Sequence, residues 1–184
     1  MKYNEIHVVD LLNREQNTMT IIDSLSREFK NEAQTTRKHL ERLPSDKLDW
    51  RPHEKSFTAG GLASHIVECV GWADSIFNLD ELDIDLATYK PYQATSAADL
   101  LKTFDDKVAS CKQVLEGVDE ETMMQPWRLK MMGQLMFEKP RADVFRDFTL
   151  SHLIHHRGQF SVYLRLLNVP VPGSYGPSAD EQAP

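Results

Sequence analysis

The chain is short of cysteine, of basic charge and of long apolar runs, and each shortage removes a class of protein. Among 184 residues there are two cysteines, Cys69 and Cys111. They stand far apart in apolar surroundings and form no C-x-x-C, which excludes a disulfide framework and leaves two reduced core residues of a cytoplasmic protein. Acidic residues outnumber basic ones, 28 to 21, for a net charge of −7. No basic stripe is available to neutralise phosphates, so nucleic acid is not an expected partner. No apolar run is long enough to span a bilayer, and Met1-Lys2-Tyr3-Asn4-Glu5 opens no signal-peptide pattern, so no membrane association is expected. There is no internal repeat and no linker. The expectation is one domain over residues 1–184, large enough for a sizeable core, with an irregular tail from about Val169.

Four segments carry helical periodicity. The first runs from about Thr18 to Leu43, with Ile22, Leu25, Phe29, Ala33, Thr36, Leu40 and Leu43 on one face and Pro44 as the stop. The second runs from about Thr58 to Phe77, with Ser56 and Thr58 as candidate caps and Leu62, Ile66, Cys69, Ala73 and Ile76 as its buried stripe. The third starts at Ser96, with Asp99 as a capping-box-like partner, and ends at Gly117. The fourth runs from about Arg141 to Leu167, closed by Asn168 and Pro170. Between the third and fourth, Trp127 to Phe137 alternates apolar and polar residues around Gly133, which predicts a short hairpin or flap. The acidic run Asp80 to Asp85 lacks the glycine and spacing of a calcium loop and reads as a solvated surface loop. Together these elements predict an all-α four-helix bundle.

Against this background the stretch Ser151-His152-Leu153-Ile154-His155-His156-Arg157-Gly158-Gln159 stands out, with three of the seven histidines in five residues. His152 and His156 are four apart, so on a helix both leave the same face, one turn apart, and both can grip one metal ion. A helical wheel puts Phe145, His152, His156 and Tyr163 in one arc of the buried face, with His155 at its flank. On the second helix His65 falls inside the apolar stripe. His39 lies on the outer side of the first helix, His53 in a loop and His7 near the N-terminus. Core-facing imidazoles without partners cost roughly a few kcal/mol each. A divalent ion relieves all three at once, so His65, His152 and His156 are the candidate ligands, a set that suits Zn, Ni, Fe or Mn with a position left open.

These residues also resemble a known family. His152-Leu153-Ile154-His155-His156-Arg157-Gly158-Gln159, followed by Tyr163-Leu164-Arg165, is similar to the H-x-x-x-H-R-G-Q signature of the DinB/YfiT-like superfamily. The tail Val169-Pro170-Val171-Pro172 and Tyr175-Gly176-Pro177-Ser178-Ala179-Asp180-Glu181 resembles its usual ending. Leu43-Pro44, Trp50-Arg51-Pro52 and the stretch Ser56 to His65 resemble its approach to the first metal histidine. The resemblance implies an up-down-down-up four-helix bundle with a long crossover, a metal on His65, His152 and His156, and a homodimer. It also implies S-transfer from a low-molecular-weight thiol such as bacillithiol, mycothiol or glutathione, or a maleylpyruvate isomerase activity. Other members have no established activity, and some are named only for induction by DNA damage.

The expected function is therefore a metal-dependent thiol S-transferase, or a related hydrolase, acting on a small-molecule electrophile. The rival readings are a stress-response bundle whose metal only binds or stabilises, and a bundle whose histidines are simply core. Around the site, Glu68 is a candidate general base or histidine partner, or else a solvated rim carboxylate. Gln159 is a candidate for orienting a ligand. Arg157 points away from the metal arc and is expected in a cap or ion pair, with a grip on an acidic thiol's carboxylate as the alternative. Cys69 and Tyr163 read as packing, and Trp72, Trp127 and Met131 as core or pocket wall.

Overall fold

Each long helix begins where a small polar side chain can stand in for a missing carbonyl. The computed structural model describes residues 19–181; the expected start at Thr18, His7 and the N-terminal pentapeptide lie outside these residues. Helix α1 (Ile21–Leu40) starts at Thr20, whose hydroxyl accepts from the Asp23 amide while the Asp23 carboxylate accepts from the Thr20 amide. Helix α2 (Ala59–Asn78) is capped by Thr58, not Ser56. Helix α3 (Ala97–Gly117) is capped by Ser96, but Asp99 turns its carboxylate to Thr95 rather than closing a box on Ser96. A one-turn helix, α4 (Glu120–Met124), follows and was not anticipated from periodicity.

The last helix is not one regular coil. It comprises α5 (Arg141–Val144), a π-helical segment (Phe145–Ser151) and α6 (His152–Leu166), ended by Asn168 in the left-handed conformation at φ 58°. The wider π turn changes the phase ahead of His152, which a uniform wheel does not capture. The spacing of His152 and His156 is untouched because both lie beyond it.

The all-α expectation needs amendment, since a small three-stranded sheet is present. Strand β1 (Glu81–Ile84) pairs in parallel with β2 (Pro126–Met131), which pairs antiparallel with β3 (Gln134–Pro140). The β2–β3 hairpin is the expected flap. Its turn residues, Met132 and Gly133, both take positive φ, 52° and 78°, as a tight hairpin requires. The acidic run is not a free loop. Leu82 and Ile84 pack on the core, while Glu81 pairs with Lys130 at 2.7 Å and Asp83 accepts from the Gly133 amide.

Helix α1 packs on α3 and α6, and α2 packs on α3 and along the last helix, so the four long helices form a ring. Phe29, Phe104, Phe145 and Phe160 lie fully inside it; each such burial stabilises by ~1.5–3 kcal/mol. Arg141 donates to the Ile76 and Leu79 carbonyls, and Trp127 Nε1 donates to the Ser75 carbonyl at 3.1 Å. The open C-terminal carbonyls of α2 are thereby tied to the hairpin and to the start of the last helix. At the other end, the Ala59 and Gly60 amides donate to the Trp50 and Leu48 carbonyls. A Cβ at Gly60 would sit 3.0 Å from the Leu48 carbonyl oxygen, so glycine permits this close approach. The result fixes the loop that carries Phe57 over the N-terminal half of α2.

Candidate metal centre

His65 on α2 faces His152 and His156 on α6 across the ring. The three ring centroids form a near-equilateral triangle with sides of 5.0, 4.7 and 4.7 Å. The outward nitrogens of two of the rings are occupied: His65 Nδ1 meets Glu68 Oε2 at 3.1 Å and His156 Nδ1 meets Gln159 Oε1 at 2.8 Å. A carboxylate and an amide oxygen only accept, so Nδ1 of His65 and of His156 is the N–H donor and Nε2 of each carries a bare lone pair. The bare His65 Nε2 stands 3.3 Å from His152 Nε2. Nitrogens bound to one tetrahedral ion at ~2.0 Å would stand about 3.3 Å apart, so the residues fit a metal.

The electrostatics keep these rings available as ligands. Burial, then the neighbouring His156, His65 and His155, lowers the His152 pKa to about 4. Burial also lowers His156, against the hydrogen bond it donates to Gln159. Both are neutral near pH 7, the state a metal requires. Burial alone would raise Glu68, but hydrogen bonds from His65, the Tyr92 amide and the Tyr89 hydroxyl outweigh it and hold the carboxyl below its ordinary range.

Cys69 packs in the core, as expected, and also stands beside the histidines. Its sulfur and the donor nitrogens of His65 and His152 all lie within 4.8 Å of one another. His156 is not in that set, but its ring centroid lies 4.7 Å from those of both His65 and His152. The signal was present in the sequence: Cys69 follows His65 by four residues, the same spacing as His152 and His156.

The remaining candidates separate cleanly. Glu68 is a partner of His65, not a rim carboxylate. Gln159 is exposed but holds His156. Arg157 is fully buried and occupied, with Nη1 2.5 Å from Glu32 Oε2 and Nη2 donating to the Tyr175 hydroxyl at 2.8 Å. This is the ion-pair alternative, and it leaves the guanidinium no free edge for a ligand's carboxylate. His39 is not on an outer face: it is buried, with Nδ1 on the Thr35 carbonyl and burial lowering its pKa. Tyr163 donates to the Phe57 carbonyl, and Phe57 stacks on His65 with centroids 5.8 Å apart. Trp72 joins Trp127 and Phe148 in an aromatic cluster. On the solvent side, His156, Gln159, Phe57, Tyr163 and Lys55 line an open cavity of about 410 Å³. A roomier cleft of about 580 Å³ at Asp74 and Ser110 has no histidine or cysteine in its lining, so chemistry rather than size selects the site.

Fold and site together define a mostly helical protein with a histidine–cysteine cluster able to hold a metal ion. The chain belongs to the DinB family, whose model matches residues 15–183. It is 28% identical over 166 residues to the uncharacterized protein YrdA of Bacillus subtilis (strain 168), covering 88% of this chain and 92% of that one. Its fold is similar to the crystal structure of a DinB-like protein from Bacillus cereus ATCC 10987, with a TM-score of 0.65 at 22% identity over 82% of this chain and 95% of that one. A DinB-like protein of Bacillus subtilis, YjoA, gives a TM-score of 0.63 at 20% identity, over 82% and 97%. No helix among the described residues is long and apolar enough to cross a membrane.

Proposed function

We propose that this chain is a metal-dependent enzyme in which His65, His152 and His156 hold one divalent transition ion, and which transfers a low-molecular-weight thiol to a small electrophile or carries out a related hydrolysis. The observation that carries the reading is the meeting of three imidazole rings, with centroids 4.7–5.0 Å apart, beside an open cavity. Bound there, such an ion lowers the pKa of a coordinated thiol, so that thiolate is available at neutral pH. The chain's own residues do the rest. Glu68 and Gln159 hold the His65 and His156 imidazoles in one tautomer and orientation. Tyr163 and Trp50 support Phe57, which shields His65 from water on one side. Substrate enters past Lys55, Ser56 and Gln159, and the thiol's proton leaves by the same solvent-exposed face. Cys69, its thiol pushed by burial to about 12, is no nucleophile for this reaction.

With this reading go a single domain over the chain, up-down-down-up order of the four helices, a homodimer and a cytoplasmic setting. The acidic surface supports a small-molecule partner rather than nucleic acid. The test is a screen of metal-loaded protein against low-molecular-weight thiols paired with electrophiles such as maleimides and epoxides. Turnover that His152→Ala abolishes supports the reading. Metal-loaded protein that turns over neither a thiol–electrophile pair nor a hydrolysable ester or amide would reduce it to a metal-binding bundle.

A further inference from the structure

We propose that Cys69 is a further ligand of the same ion, its thiolate closing the buried side of a site whose other side opens on the cavity. This rests on the metal reading above and deepens it. Two helical pairs of equal spacing face each other: His65 and Cys69 on α2, His152 and His156 on α6. In each pair the side chains leave one face of the helix a turn apart. The sulfur and the nitrogens of His65 and His152 lie within 4.8 Å of one another. Coordination to one ion would bring nitrogen and sulfur to about 3.5 Å, an adjustment within reach of side-chain torsions. Cys69 is completely buried, and among the described residues its sulfur finds no partner outside its own backbone. Cys111 is equally buried on α3 but joins no donor cluster, so burial alone does not explain the placement.

A nitrogen-and-sulfur donor set favours zinc or cobalt over manganese and the other oxygen-preferring ions. Binding exchanges the S–H bond for a sulfur–metal bond. The proton goes to solvent, and no oxidation state changes. An incoming substrate then has only the cavity side, where His156 and Gln159 stand, as a fifth position.

Cobalt(II) reports thiolate ligation directly. Wild type, Cys69→Ser and Cys111→Ser are loaded with cobalt(II), and their spectra compared. The proposal expects visible ligand-field bands in all three, with a near-ultraviolet thiolate-to-cobalt charge-transfer band in wild type and Cys111→Ser only. Cys111→Ser retains a single cysteine, so its band assigns Cys69 even if Cys69→Ser does not fold. Ligand-field bands without charge transfer in wild type overturn the Cys69 ligand and leave the histidine site standing. Charge transfer that survives Cys69→Ser overturns it too. Wild type that takes up no cobalt at all removes both this inference and the metal reading beneath it.

Discussion

Glu68 and Gln159 touch no reacting atom in the proposed site, yet each fixes a ligand from behind. Their loss should be felt as metal affinity. Glu68→Gln and Gln159→Ala are each expected to weaken binding about 10–100-fold in competition with a chelator, with unfolding of the metal-free protein little changed. Acid sensitivity belongs to the same scale. The folded-state pKa of His152 is about 4, below the ~6.5 of an unfolded chain. Its neutral form therefore favours folding above ~6.5, and that contribution is lost as pH falls toward 4. The metal-free protein should lose thermal stability across this window, and His152→Ala should flatten part of the slope. A wild-type curve that is flat down to pH 4.5 would contradict the buried, neutral imidazole. The histidine triangle was legible in the sequence because four-residue spacing is a local property. Cys69 shared that spacing, but packing was the commoner meaning of a buried cysteine. His39 was misread because Arg157 and Glu181 stand close to it in space, and no wheel drawn on α1 contains them.

Among the elements, the helices announced themselves through caps and stripes, while the sheet did so only in part. The hairpin's alternation and Gly133 were visible, but β1 became a strand only by pairing with residues 128–131, a partner some 47 positions away that periodicity cannot reveal. The π segment was invisible for a related reason: its sequence, Phe145 to Ser151, keeps an apolar face that a regular helix would also present. Gly133 offers a clean test of hairpin energetics. A Cβ there meets nothing within 4 Å, so Gly133→Ala carries only the strain of φ 78°. It is expected to cost about 1 kcal/mol in urea unfolding and to leave metal content unchanged, since none of the donors is on the hairpin. A larger loss, or loss of metal, would mean the turn is coupled to the site.

At the scale of the whole molecule, Arg157 joins three parts of the chain: its own helix α6, Glu32 and Thr36 on α1, and Tyr175 in the tail. Arg165 and Asp180 add a second tie, at 2.5 Å. The tail is thus part of the packed structure rather than a loose end. Arg157→Met leaves the Glu32 carboxylate buried without its cation and is expected to cost about 3–5 kcal/mol, while pairing it with Glu32→Leu should recover most of that loss. A double-variant loss equal to the sum of the Arg157→Met and Glu32→Leu losses would show that the pair is not coupled. The same arrangement explains why a basic residue beside a candidate metal histidine is structural here: it faces the core seam between α1 and α6, not the cavity.

The proposed function stands on His65, His152 and His156 holding one ion. The measurement is metal content by mass spectrometry on tag-free wild type and His152→Ala, each incubated with zinc or nickel and desalted. About one ion per chain is expected in wild type and none retained by the variant. Metal absent from both proteins, or retained equally by both, would contradict it.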